Sequence, residues 1–245
     1  TKRLERLIRD SRADVVMLQE YNDQFDFSLP NGWFSCREDQ LLIASRYPLS
    51  RVHFVKSTGR WPSALGLFCE AHTLEGTISL GSLHFTSPRS GLSNVVDSKT
   101  RFAPSRRTLL MKQTSQRQSQ SKRISEVASG PEGALVVSGD FNMPIESYFF
   151  RQHWHSFRDA YSAVGFGLGH TTSASIGGIH WGARIDHILT RGHWHALRCW
   201  VGPDVGSDHR PVLADIYLES KDEGQMQSER HATTVRETSP NLPCN

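Results

Sequence analysis

The residues best suited to chemistry are carboxylates and imidazoles that end or interrupt apolar runs. Gly206-Ser207-Asp208-His209-Arg210-Pro211 sets a carboxylate beside an imidazole in a small-residue turn, just before Val212–Tyr217, whose alternation reads as a strand. A strand fixes the backbone of such a turn, while the loop leaves its side chains open to a ligand. Four other places share this layout. Val15-Val16-Met17-Leu18-Gln19 leads to Glu20, and Gly76 to Leu83 leads to His84. Ala134 to Ser138 leads to Gly139-Asp140-Phe141-Asn142-Met143-Pro144, and Arg184-Ile185-Asp186 opens another alternating run. Alternation lets Asp140 and Asn142 point one way while Phe141 turns into the core. Each feature alone has an ordinary explanation. Asp-His pairs are common on surfaces, Asp and Asn form turns, and an acid at a strand end is often simply solvated.

If these ends converge, the site holds the carboxylates of Glu20, Asp140, Asp186 and Asp208, the Asn142 amide, and the imidazoles of His84 and His209. Hard oxygen ligands of this kind suit Mg²⁺ or Mn²⁺, and the imidazoles are suited to moving protons. Hydrolysis of a phosphate ester needs this set of parts: a cation against the phosphoryl oxygens, a base for water, and donors for the remaining oxygens. Other chemistries lack their signatures. There is no glycine-rich nucleotide loop and no G-x-S-x-G elbow, and the four cysteines have no C-x-x-C spacing that would suggest a zinc ribbon.

The elements that must position these groups interleave helix and strand. An amphipathic helix over Thr1–Arg12 feeds a buried strand ending at Glu20. Strands follow at Gln40–Ser45, Arg51–Lys56, Ala64–Ala71 and Gly76–Leu83, then a long polar helix over Arg101–Ser129, closed by Gly130-Pro131-Glu132-Gly133. The next strand is Ala134–Ser138. Ile145–His155 and Phe157–Val164 read as helical or irregular, Gly165–Gly182 as a loop, and Arg184–Leu189 and Trp194–Val201 as strands. Residues 218–245 are polar without apolar periodicity and read as a disordered tail after a domain of residues 1–217. Short strands mixed with helices predict an α/β sandwich. The chain's 37% hydrophobic content is low for a globular sequence and agrees with a polar appendage. Lys99 to Arg123 carries eight Lys or Arg and no acid, so this segment is either a solvated helix face or a contact for nucleic acid or anionic lipid. No run of about twenty apolar residues is present to cross a bilayer.

In order and context, Leu18-Gln19-Glu20, Leu83-His84, Gly139-Asp140-Phe141-Asn142, Arg184-Ile185-Asp186 and Ser207-Asp208-His209 resemble the motifs of the endonuclease/exonuclease/phosphatase superfamily. The resemblance spans Thr1 to Tyr217 and implies a DNase I-like four-layer α/β sandwich with two mixed sheets. It further implies Glu20 as the principal Mg²⁺ (or Mn²⁺) ligand and Asp208 as a second one. His209 would be the general base, or the imidazole that holds the attacking water, with Asp186 accepting its other N–H. Asp140 and Asn142 would orient the nucleophile and bind a phosphate oxygen, and His84 would donate to the phosphate or leaving group. Arg184 is either a phosphate contact or a structural ion pair.

Family members begin with a strand ending in an asparagine that helps hold the metal. This chain starts at the helix that follows, so the first strand is expected to be missing. The runs Gly202–Pro211 and Gly139–Pro144 are similar to a bacterial branch whose members often carry N-terminal membrane segments and act outside the cytoplasm, some resembling lipid-pyrophosphate phosphatases. The resemblance therefore implies a metal-dependent phosphoesterase acting on an ester or pyrophosphate. The alternatives are a DNA or RNA nuclease, and an inactive truncated fragment that only binds phosphate ligands.

Overall fold

A computed structural model describes residues 2–22, 28–58, 63–87, 104–130, 135–176 and 179–219. In chain order its elements begin with α1 (Lys2–Asp10), β1 (Val15–Leu18), β2 (Phe34–Glu38), β3 (Leu41–Ser45), β4 (Leu49–Lys56), β5 (Ala64–Thr73) and β6 (Gly76–His84). They continue with α2 (Pro104–Ala128), β7 (Leu135–Asp140), α3 (Tyr148–His153), β8 (Arg158–Asp159), α4 (Ala160–Val164) and β9 (Thr172–Ile176). The last are β10 (Ile179–Ala183), β11 (Asp186–Arg191), β12 (Trp194–Val201) and β13 (Val212–Leu218).

The central sheet is six-stranded, in the order β4-β5-β6-β7-β11-β8. Only β6 and β7 run parallel in it, which requires a crossover, and α2 lies on the chain between them. The apolar runs of β5, β6 and β7 are buried on both faces. One face sets Phe68, Leu83, Val137 and Leu189 against Ile124 and Ala128 of α2, Phe150 of α3, and Trp154 and Phe157. The opposite face sets Leu67, Cys69, Leu80 and Val136 against Leu41 and Ile43 of β3 and Val15 and Met17 of β1.

That second layer differs from the expected second mixed sheet. The described strands on this side form β1-β3-β2 and the separate pair β12-β13, with every pairing antiparallel. Trp194 and Ile216 join the same apolar cluster as Val15 and Met17, so both groups of strands cover the same face of the central sheet. Among the described residues β1 and β13 each have a strand partner on one side only.

Three further differences have local causes. β2 escaped sequence reading because its mostly exposed pattern carries only two apolar residues, Phe34 and Cys36; pairing with β3 forms it. The glycine-rich loop expected over Gly165–Gly182 contains the antiparallel pair β9–β10, in which Thr172 faces Ala183. β13 continues through Leu218, one residue past the expected boundary, and Glu219 N–H donates to the His193 carbonyl at 2.8 Å. The remaining tail and the Lys99–Ala103 part of the basic segment lie outside the described residues. No described helix is long and apolar enough to cross a membrane.

Candidate active site

Register places three of the expected residues in one row. His84 is the Cα partner of Asp140 across the parallel β6–β7 ladder, and Asp140 is the partner of Asp186 across the antiparallel β7–β11 ladder. Directly paired residues project from the same face of a sheet, so the three side chains emerge together. Gly139 makes the approach of β6 and β7 possible at this end, because a Cβ there would stand 2.0 Å from the Leu83 carbonyl oxygen.

The fourth member arrives on a different segment. Thr171, fully buried, accepts from the N–H groups of Ile185 (3.2 Å) and Asp186 (3.3 Å) through its hydroxyl. Its carbonyl accepts from Arg210 N–H at 2.7 Å, and Thr172 forms an isolated β-bridge with His209. One threonine thereby ties the start of β11 to the 207–211 turn. His209 Nδ1 comes to rest 2.9 Å and 3.1 Å from the two oxygens of Asp186. Sequence reading passed over Thr171, whose only signal is its place in the Thr171-Thr172 step that ends the glycine-rich stretch.

Asp140 is held by its own turn. Asn142 N–H donates to Asp140 Oδ1 at 2.7 Å, and Asn142 Nδ2 donates to Asp140 Oδ2 at 2.9 Å and to the Phe85 carbonyl at 2.7 Å. Asn142 adopts the left-handed conformation (φ 51°), which its short polar side chain tolerates better than most. Both Nδ2 protons are thus committed to protein acceptors, so in this arrangement Asn142 positions Asp140 and has no Nδ2 donor left for a phosphate oxygen. His84 Nε2 lies 3.9 Å from Asp140 Oδ2 and 3.6 Å from Glu20 Oε1, beyond hydrogen-bonding distance of either. Glu20 itself, two residues past β1, is exposed and left-handed (φ 55°). Its charge reaches both Asp140 and His84.

The electrostatics are those of an anionic cluster short of positive charge. Burial, then the neighbouring Asp186 and Glu20, push the Asp140 carboxyl up to about 7, against the opposing pull of His209 and the Asn142 N–H. His209 is raised to about 9, chiefly by its hydrogen bond to Asp186 and by the charges of Asp186, Asp140 and Asp208, with burial opposing. Burial lowers His84, which favours its neutral form; the His209 charge reinforces the shift, while Glu20 and Asp186 oppose it.

Ligand atoms of Asp140, Asp186 and His209 all lie within 4.8 Å of one another and could hold a metal ion. The donor set, two carboxylates and an imidazole without sulfur, fits a hard divalent cation. The expected ligands Glu20 and Asp208 are not in this group. Glu20 stands across His84, and the exposed Asp208 is adjacent to His209 and raises it.

Arg184 is engaged elsewhere. Its guanidinium donates to Asp159 Oδ1 at 2.5 Å and to the Ser162 hydroxyl at 2.9 Å, and it lies over the Tyr161 ring. Its acid partner is Asp159 and not the adjacent Asp186. The cations of the basic segment are also partly occupied: Arg123 donates to the Lys56 carbonyl at 2.7 Å, and Lys122 lies 3.9 Å from Glu126.

A mixed sheet that delivers carboxylates and imidazoles from neighbouring strand ends is a framework for phosphoester chemistry, and comparison with known proteins agrees. The family model "Endonuclease/Exonuclease/phosphatase family" matches residues 1–209, and the chain belongs to that family, whose members are hydrolases acting on phosphoesters. No curated protein matches the chain in sequence. Among solved structures, an endonuclease/exonuclease/phosphatase from Beutenbergia cavernae DSM 12333 is similar with TM-score 0.66 and 16% identity, over 89% of this chain and 66% of that one. The mannosyl-6-phosphatase Bt3783 of Bacteroides thetaiotaomicron VPI-5482 gives TM-score 0.60 at 14% identity, covering 88% of this chain and 89% of that one. Truncated TDP2 of Caenorhabditis elegans gives 0.62 at 14%, covering 89% and 90%. At these identities the likeness establishes the DNase I-like fold.

Proposed function

We propose that the protein is a divalent-metal-dependent phosphoesterase, using Mg²⁺ or Mn²⁺, that hydrolyses a phosphate ester or pyrophosphate by attack of water. The observation that carries this reading is the His209–Asp186 pair, at 2.9 Å, standing within a 4.8 Å group that includes the buried Asp140. With Nδ1–H donated to Asp186, the imidazole is fixed in orientation and its Nε2 faces the task of taking a proton from water. Asp140, held by Asn142, orients that water. His84, favoured in its neutral form, is placed to donate from Nε2 to a phosphoryl or leaving-group oxygen. Asp140 and Asp186 hold the cation, and Glu20 and Asp208 are the further carboxylates assigned to it. When bound, the cation neutralises charge on the phosphoryl oxygens and offsets the surrounding carboxylates, so that His209 can stand neutral.

The test is hydrolysis of bis(p-nitrophenyl) phosphate and p-nitrophenyl phosphate by the whole chain with millimolar Mg²⁺ or Mn²⁺. The expected result is metal-dependent turnover that is abolished in both His209→Ala and Asp140→Ala proteins. A folded parent with no turnover of a diester, a monoester or inorganic pyrophosphate would sink the reading. In that case the protein would be a binder of phosphate-bearing ligands.

A further inference from the structure

On the face of β11 opposite Asp186, His187 is 1% exposed and bonded at both ring nitrogens. Nε2 lies 3.0 Å from the Met143 carbonyl oxygen, and Nδ1 lies 3.0 Å from Asp159 Oδ2. A carbonyl can only accept, so Nε2 carries a proton. Asp159 also receives, on Oδ1, Arg184 at 2.5 Å and the Ser162 N–H at 2.7 Å. Burial pushes its carboxyl up, but these donors and His187 outweigh burial and hold it below the ordinary carboxylate range. Arg184 Nη1 also lies 3.4 Å from His187 Nδ1, so the guanidinium and the imidazole meet at the same carboxylate.

The ring therefore spans two elements, with a hydrogen-bonding nitrogen at each end. One end is anchored where Asp159 caps α4, and the other grips the carbonyl of the residue that follows Asn142. The ring plane is set by Phe141, edge-on at 5.3 Å, and by Phe150 at 5.1 Å. The 140–143 turn has reason to need this grip. It carries the left-handed Asn142, and its Asp140 faces Asp186 with like charge. Among the described residues, one backbone bond outside the regular ladder, Phe141 N–H to the Ile185 carbonyl at 2.9 Å, otherwise joins the turn to the start of β11.

We propose that His187 is a positioning residue, a clamp that holds the Asn142–Met143 turn against β11 and so fixes Asp140 relative to Asp186, with Asp159 and Arg184 as its anchor. Its effect on rate rests on the phosphoesterase reading above; its geometry does not. Removing a partner that orients site ligands commonly costs about 10–100-fold in activity or metal affinity. His187→Phe keeps an aromatic ring in the pocket and removes both hydrogen-bonding nitrogens. It should lower kcat by about that factor with KM nearly unchanged, and His187→Gln, which can still donate to one acceptor, should recover part of the loss.

Proton NMR of the metal-free protein should show a slowly exchanging His187 Nε2–H signal, held by the Met143 carbonyl. A folded His187→Phe protein with kcat within about twofold of the parent would overturn the proposal, as would a His187 Nε2 proton in the parent that exchanges as fast as one exposed to water. If His187→Phe does not fold, the Gln protein decides by the same kcat criterion. A parent without turnover would defeat the phosphoesterase reading alone. The clamp would then stand or fall on whether His187→Phe or His187→Gln weakens Mn²⁺ binding by about tenfold or leaves it unchanged.

Discussion

Asp140 and Asp186 are Cα partners across the antiparallel β7–β11 ladder, two carboxylates placed face to face on one side of the sheet with His209 bonded to the second of them. Like charges directly opposite one another destabilise a sheet. Burial and then this repulsion appear in the elevated carboxyl of Asp140, while attraction to Asp186 and its neighbouring carboxylates, against burial, raises the imidazole of His209. The arrangement costs stability in the metal-free protein and supplies the charge that a cation would meet.

The first prediction concerns pH. Asp140 titrates at about 7 in the folded chain, against about 3.9 when unfolded, so the stability it lends is complete below about pH 3.9 and lost as pH rises through about 7. His209 titrates at about 9, against about 6.5 unfolded, so its contribution is complete below about pH 6.5 and lost through about 9. Both shifts act in the same direction. The Tm of metal-free protein, followed by thermal denaturation, should fall as pH rises from about 5 to 9, and millimolar Mg²⁺ should restore more of it at the alkaline end. Asp140→Asn should flatten the lower part of that slope. A slope unchanged in this variant would remove Asp140 as its cause.

The second prediction separates orientation from charge at the dyad. Asp186→Asn keeps the shape but can present an amide N–H to His209 Nδ1, which favours the wrong tautomer. Turnover should fall by about 10²–10⁴, with the protein still folded. Steady-state kinetics beside circular dichroism checks this. Retention of more than about a tenth of the parental kcat would mean that Asp186 does not hold the working tautomer.

What could be read from the sequence divides along physical lines. The buried strands that carry the row were legible because continuous apolar runs such as Leu135–Val137 have few other uses, and the polar residues ending them stood out. The DNase I-like fold followed from the order of those motifs. β2 and the β9–β10 pair were not legible, because their few apolar residues, such as Phe34, Ile176 and Trp181, are scattered among polar ones without a clear alternation, and pairing partners decide them. Arg184 was legible as a charged group but not in its role. Its partner Asp159 lies 25 residues away, and Asp159 announced itself only as an acid ahead of the short helix run Ala160–Val164. The supporting residues Thr171, Asp159 and His187 act through long-range hydrogen bonds, which leave no pattern in local sequence.

The third prediction tests the close approach that aligns His84 with Asp140. Gly139→Ala would place a methyl group 2.0 Å from the Leu83 carbonyl oxygen and 2.8 Å from its carbonyl carbon and amide nitrogen, all backbone atoms with no freedom to turn aside. Strands β6 and β7 must then separate at the site end. The cost expected from overpacking is about 1–3 kcal/mol or more, visible in denaturant unfolding, and turnover should fall with it as His84 moves away from Asp140. Ala at this position with parental stability and rate would show that the ladder opens freely there.

The fourth prediction isolates Thr171, which bonds the backbone of Asp186 and not its carboxylate, and joins the two segments that supply Asp186 and His209. Thr171→Val preserves shape and removes the acceptor for the Ile185 and Asp186 N–H groups, bonded at 3.2 Å and 3.3 Å. Leaving buried donors unsatisfied costs about 1–3 kcal/mol, and those two donors lie at the start of β11, so the strand end that carries Asp186 should loosen. Thr171→Ser restores the hydroxyl without the methyl and should recover most of the rate while repairing less of the stability. Denaturant unfolding and kcat measured on both variants separate the two effects. If Ser lowers kcat while Val leaves it at the parental value, packing by the methyl group, and not the hydrogen bonds to β11, is what Thr171 contributes to the site.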